Sequence, residues 1–212
     1  AGLDIYVDGD CRFDRDVGGR AWIAYPLERM EGMEGRTGEA KIELLNDLPV
    51  TSLLRKLQAG PIWPEVTGEL GPGEIEYVNT WKLAQQASPR PVKYGAISAQ
   101  ALEHYASNTY YASDAEMLNG LCDALNQEYR ALADVGCPVI QIEEPLIHFL
   151  AADPNVPDDV LDAYVDAFNR EIEGVETEIW YHSCWGNPSQ QRVTQNVESY
   201  ERGLDWMIQC NC

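Results

Sequence analysis

Positive charge is scarce in this chain. Fifteen Lys and Arg stand against 35 Asp and Glu, a formal net charge of −20 over 212 residues. A surface of that sign repels phosphate backbones and anionic headgroups, so neither nucleic acid nor a membrane is an expected partner. Long apolar runs are missing too, and nothing approaches the roughly 18 residues of a membrane-spanning helix. There is no Gly-x-x-x-x-Gly-Lys-Ser/Thr loop and no Gly-x-Ser-x-Gly turn, which argues against a P-loop nucleotide triphosphatase and a serine hydrolase. Histidine is limited to His104, His148 and His182, so any imidazole chemistry falls to one of three residues. The six cysteines (11, 122, 137, 184, 210 and 212) are scattered and no secretory segment precedes them. A disulfide framework is therefore not expected, and a cytoplasmic location is.

What is present is an ordinary apolar fraction of 45%, enough to build a core in one domain spanning 1–212. Strand-like runs are expected at residues 3–7, 74–78, 91–97, 138–142 and 178–182. Helical periodicity fills much of the space between them. A helix is expected to start at the capping pair Ser113 and Glu116, carry Leu118, Leu121, Cys122, Leu125, Tyr129, Leu132 and Val135 on its apolar face, and stop at Gly136. A second starts near Pro157, buries Leu161, Tyr164, Val165, Phe168 and Ile172 and stops at Gly174; a third covers about 199–209, and a fourth about 51–58. Strand, helix, strand at this spacing argues for parallel βα units, in a doubly wound sheet or a (β/α)8 TIM-type barrel. A full barrel usually needs about 250 residues. The chain opens directly on a strand-like run and ends directly after a helix, so a barrel incomplete at both ends is expected.

In such folds ligands meet the carboxyl ends of the strands. There the sequence places Asp8, Asp10 and Cys11 after the first run, Glu143 and Glu144 after the fourth, and His182 and Cys184 after the fifth. Imidazole and thiolate two residues apart suit Zn²⁺, which also requires third and fourth ligands. Glu143 and Glu144 are adjacent on a strand and must point to opposite sides, so one faces the mouth and the other the helix layer or a loop amide. His148 lies in an apolar stretch and reads as a packed histidine. Cys122 and Cys137 read as core thiols.

Taken together, these segments resemble the catalytic barrel of the cobalamin-independent methionine synthase family. The likeness rests on Gly2-Leu3-Asp4 through Asp10, on Val139-Ile140-Gln141-Ile142-Glu143-Glu144-Pro145, and on Trp180-Tyr181-His182-Ser183-Cys184. The run Cys184-Trp185-Gly186-Asn187 is similar to shorter stand-alone relatives that include the epoxyalkane–coenzyme M transferases. The resemblance implies Zn²⁺-dependent transfer of a methyl or other alkyl group from a donor to a thiol. His182 and Cys184 would be two metal ligands, and Asp10 and Glu143 would hold the amino group of a homocysteine-like acceptor. The family usually has Glu and Asp at those two positions, so the carboxylates are swapped in length here. Its Thr-Gly-Pro motif on the folate side is replaced by Tyr94-Gly95-Ala96-Ile97-Ser98. Its remaining two ligands, a Glu and a later Cys, would follow Cys212, and Cys210 and Cys212 are not at matching positions.

Two other readings stay open. One is a relative acting on coenzyme M with an epoxide-derived group, for which Arg12, Arg15 and Arg20 are candidate sulfonate partners. The other is a non-catalytic metal-binding or structural fragment. A homo-oligomer or the remaining barrel segment is the expected protein partner.

Overall fold

A computed structural model describes residues 2–7, 21–37, 63–184 and 201–212. The chain there runs α1 (Ala21–Leu27), β1 (Glu31–Thr37), β2 (Trp63–Gly71), α2 (Tyr77–Ala87), β3 (Tyr94–Ile97) and α3 (Ala99–Glu103). It continues through β4 (Ser107–Asn108), α4 (Asp114–Asp134), β5 (Val139–Glu143), α5 (Leu146–Ala151), α6 (Asp158–Glu171), β6 (Glu178–His182) and α7 (Glu201–Met207).

Helix α4 follows its sequence closely. The Ser113 hydroxyl accepts from the Glu116 amide at 3.2 Å, and Glu116 reaches back to the Ala112 amide, so two of the free N-terminal donors are satisfied. Met117, Leu118, Leu121, Cys122, Leu125, Tyr129 and Leu132 form one buried stripe. Gly136, at φ +87, takes the left-handed conformation that ends the helix. The helix packs on α2, α3 and α6 and on β2. Tyr77, Tyr94 and Tyr129 stack within that core. Leu125 is completely buried there. Leu125→Ala is expected to lower the unfolding free energy by about 3 kcal/mol, read by urea denaturation.

The parallel sheet has the order β3-β5-β6. Its register sets Gly95 beside Gln141 beside Trp180, and Ile97 beside Glu143 beside His182. Tyr6 forms a parallel bridge with Val92 just below β3, so the run at 3–7 lies along this sheet as a single bridge, not the full strand expected. The second sheet, β1-β2-β4, pairs β1 with β2 antiparallel and β2 with β4 parallel. Both long strands were missed as strands because they carry Gly, Glu and Pro where β-branched residues are usual. Gly32 shows why: a Cβ there would lie 2.4 Å from the Glu69 carbonyl oxygen, so the hairpin closes only on glycine.

The strand expected at 74–78 does not form. Ile75 is buried in a turn, Glu76 adopts φ 51, and α2 begins at Tyr77, whose amide is capped by Glu128 at 2.8 Å. The helix expected at 51–58 lies outside the described residues. The α/β class holds; the described strands make two open sheets where the sequence argued for a barrel. Among the described residues no helix is long and apolar enough to cross a membrane.

Candidate metal and substrate site

Alternation along β5 and β6 divides the sheet into two chemical faces. Ile140, Ile142, Ile179 and Tyr181 join the apolar core. Gln141 and Glu143 on β5, and Trp180 and His182 on β6, occupy the other face. The Glu143–His182 pair lies at the carboxyl end of both strands.

There Glu143 Oε1 lies 3.1 Å from His182 Nδ1 and accepts from Gln141 Nε2 at 2.7 Å. With the ring proton on Nδ1 that nitrogen donates to the Glu143 carboxylate and the Nε2 lone pair is left for a metal, whereas the Gln141 Nε2 amide, 3.0 Å from the same nitrogen, fits the other tautomer. The same ring is hydrogen-bonded to Cys184. These hydrogen bonds, to Cys184 first and then Glu143, push His182 up to about 10 against the opposing effect of burial. A metal would therefore displace a proton here, and its binding weakens as pH falls. The His182 side chain is 42% exposed, so a ligand can reach the ring.

These donors have the chemistry zinc selects. An imidazole and a thiol touch one another, and the imidazole's other nitrogen is oriented by a carboxylate, as in carboxylate–histidine–zinc arrangements. The described residues supply two ligands; among them no group of three His, Cys, Asp or Glu side chains could hold an ion. Asp10, the expected partner of Glu143 in holding an ammonium group, lies outside the described residues. So do Arg12, Arg15 and Arg20. Glu143 itself is in place. Its Oε1 is engaged by Gln141 and His182, and no described donor reaches Oε2.

Glu144 takes the opposite direction, as adjacency on a strand demands. It accepts from the Leu146 and Ile147 amides at the start of α5 and from the Tyr181 hydroxyl at 2.8 Å. His148, Cys122, Cys137 and Cys210 are buried, and Cys212 is exposed.

The sequence reading missed Lys93 and Gln141. Lys93 Nζ donates to Gln141 Oε1 at 2.5 Å and sits 4.6 Å from the centre of the Trp180 ring. Gln141 Nε2 is 3.0 Å from His182 Nδ1. The signal was available: Gln141 and Trp180 each stand two residues before a recognised site residue and so share its face.

No family model matches the sequence. Curated relatives include the methionine synthase of Sulfolobus acidocaldarius, 26% identical over 192 residues, 89% of this chain and 48% of that one. The methionine synthase of Saccharolobus solfataricus is 25% identical over 190 residues, with 89% and 49% covered. That of Thermococcus kodakarensis is 33% identical over 96 residues, 45% of this chain and 26% of that one. The chain spans about half the length of the first two relatives. Among solved structures, the B12-independent methionine synthase of Shewanella sp. W3-18-1 matches with a TM-score of 0.65 at 20% identity. It aligns with 96% of this chain and 51% of its own. A putative B12-independent methionine synthase from Listeria monocytogenes gives 0.61 at 20% identity, over 87% and 50%. At that identity the structures speak for the fold alone, and the sequence relatives are named methionine synthase. The chain is related to the cobalamin-independent methionine synthase family.

Proposed function

We propose that this chain belongs to a zinc-dependent thiol alkyltransferase with a (β/α)8-type barrel, one that moves a methyl or other alkyl group onto a homocysteine-like thiol. The observation that carries the proposal is the contact of His182 with both Cys184 and Glu143 at the carboxyl end of a parallel sheet. The name shared by the relatives supports it.

In this mechanism His182 and Cys184 hold the ion. Bound there, zinc lowers the pKa of an incoming thiol so that a thiolate nucleophile exists at neutral pH. Glu143 retains the Nδ1 proton of His182 through Oε1, which keeps the ring's other nitrogen free. Cys184 gives its proton to solvent and binds as thiolate. The second oxygen of Glu143 meets the acceptor's ammonium group together with Asp10, fixing which end of the acceptor faces the metal ligands. Glu143 is thus shared between ligand orientation and substrate binding, a double role the resemblance did not imply.

The test is zinc content by atomic emission, followed by a thiol panel. About one zinc per chain is expected, with alkylation of homocysteine by a methylated donor. Absence of zinc together with absence of thiol alkylation would overturn the proposal. Turnover of coenzyme M with an epoxide, and not of homocysteine, would replace the acceptor and donor while keeping the metal chemistry.

A further inference from the structure

We propose that Lys93 and Gln141 are positioning residues that hold Glu143, and through it the His182 ring, in the geometry the mouth requires. The metal's part in this rests on the zinc proposal above; the positioning itself does not.

A glutamine amide has nearly the same shape either way round, and flipping it exchanges a donor for an acceptor. Lysine can only donate. With Lys93 Nζ on Gln141 Oε1, the Nε2 end is committed to the other side, where it lies 2.7 Å from Glu143 Oε1. The flipped amide would place oxygen against a carboxylate oxygen at that distance, which is repulsive. Lys93 therefore decides that Gln141 donates to Glu143.

Lys93 is itself held at two points, by Gln141 and by the face of the Trp180 ring. On β3 the residue in register with Gln141 is Gly95. Trp180 is fixed in turn by its indole N–H on Glu178 at 2.6 Å.

Without this anchor Glu143 has little to hold it. Its side chain is 26% exposed and that of His182 42%, so each can turn toward water. Gln141 pins the oxygen that accepts the Nδ1 proton. The chain Lys93–Gln141–Glu143–His182 thus runs from the middle of the sheet to its carboxyl end, each link one hydrogen bond long.

The test uses Lys93→Met and Gln141→Leu, which keep bulk and lose the polar ends, and the double variant. Affinity for Co²⁺, which reports thiolate ligation by its absorption, is titrated against a chelator. Each single variant is expected to lose about ten- to a hundredfold in affinity. The double variant should lose no more than the worse single one, because Lys93 acts through Gln141. A second readout needs no metal: the His182 Nδ1–H proton resonance, present in the unaltered chain, should vanish by exchange in Gln141→Leu. Should that variant fold poorly by circular dichroism, Gln141→Glu replaces it, since it keeps the size and pairs with Lys93 but points an oxygen at Glu143. It should lose the resonance and the affinity alike. Unchanged affinity together with an unchanged resonance in the folded Gln141 variant would overturn the inference. If the unaltered chain takes up no cobalt while the resonance still depends on Gln141, the zinc proposal fails and the positioning role stands.

Discussion

On the zinc chemistry proposed above, replacing His182 by alanine is expected to remove metal uptake and to lower thiol alkylation by about a thousandfold, some 4 kcal/mol of transition-state stabilisation. Two donors converge on the mouth, and the loss of one leaves a lone thiol that cannot hold an ion at one point. The residual Cys184 would also titrate as an isolated thiol, no longer hydrogen-bonded to an imidazole. Cys184→Ser should behave nearly as badly, because a serine hydroxyl does not ionise at neutral pH and is a poor zinc ligand. Glu143→Gln separates the roles. It leaves both ligands present, so metal affinity falls only about ten- to a hundredfold. It also removes the negative charge meant for the acceptor's ammonium group, so KM for the acceptor should rise more than kcat falls. Zinc analysis, kcat and KM on the three variants distinguish ligand from orienting group. If His182→Ala retained stoichiometric zinc, the metal assignment would be wrong.

The parts of the fold that were legible are those where local chemistry and tertiary packing ask for the same thing. Helix α4 has its cap, its apolar stripe and its terminal glycine in register. Strands β5 and β6 are short apolar runs that end in ionisable residues, and each lies where expected. The opposite orientations of Glu143 and Glu144 followed from strand geometry alone. The β1–β2 hairpin was not legible because its pairing depends on a backbone approach at Gly32, which leaves no hydrophobic trace. Residues 74–78 alternate like a strand, yet the turn at Pro72 and Gly73 and the cap from Glu128 lead into a helix; the cap comes from 51 residues away.

His182, Cys184 and Glu143 stand out in the sequence by their chemistry and lie together in the structure, whereas Lys93 and Gln141 belong to neither a ligand type nor an acid–base pair. They matter through a face shared across three strands, and strand neighbours are set by topology. That face is itself informative. The faces of a parallel sheet are usually covered with branched apolar side chains, whereas this face of the β3-β5-β6 sheet presents ammonium, amide, carboxylate, indole and imidazole groups in contact. These groups are only partly exposed, and each is paired with a neighbour.

Stability should fall as pH rises from 5 to 8, and Glu171→Gln should flatten that decline. Glu144 and Glu171 are both completely buried on the helix side of the parallel sheet. Glu144 accepts three hydrogen bonds, but burial outweighs them and pushes its carboxyl up to about 7. Glu171 accepts from the Ala99 amide at 2.8 Å through one oxygen, while its other oxygen has no hydrogen-bond partner among the described residues. Burial, and then repulsion from Glu144, hold Glu171 well above the usual carboxylate range. Tyr181 donates to Glu144, and Tyr164, Cys122, Tyr129 and Cys210 are also coupled to this acid pair. None of these groups supplies a positive charge. The folded state therefore binds protons more tightly than the unfolded chain. This contribution to stability is complete below about pH 4.5 and is lost for Glu144 as pH rises through about 7; the raised Glu171 carboxyl acts in the same direction. At 1.36 kcal/mol per pH unit, the Glu144 shift alone is worth about 3 kcal/mol. The metal-free His182 ring contributes with the same sign and the buried His148 with the opposite one, so the comparison is between slopes. Glutamine at 171 keeps an oxygen for the Ala99 amide and has no proton to lose. Urea unfolding at pH 5, 6, 7 and 8 should show Glu171→Gln close to the unaltered chain at pH 5 and increasingly more stable than it as pH rises. Parallel curves for the two proteins would mean that Glu171 is already ionised in the fold, with water or a cation at the oxygen that has no described partner.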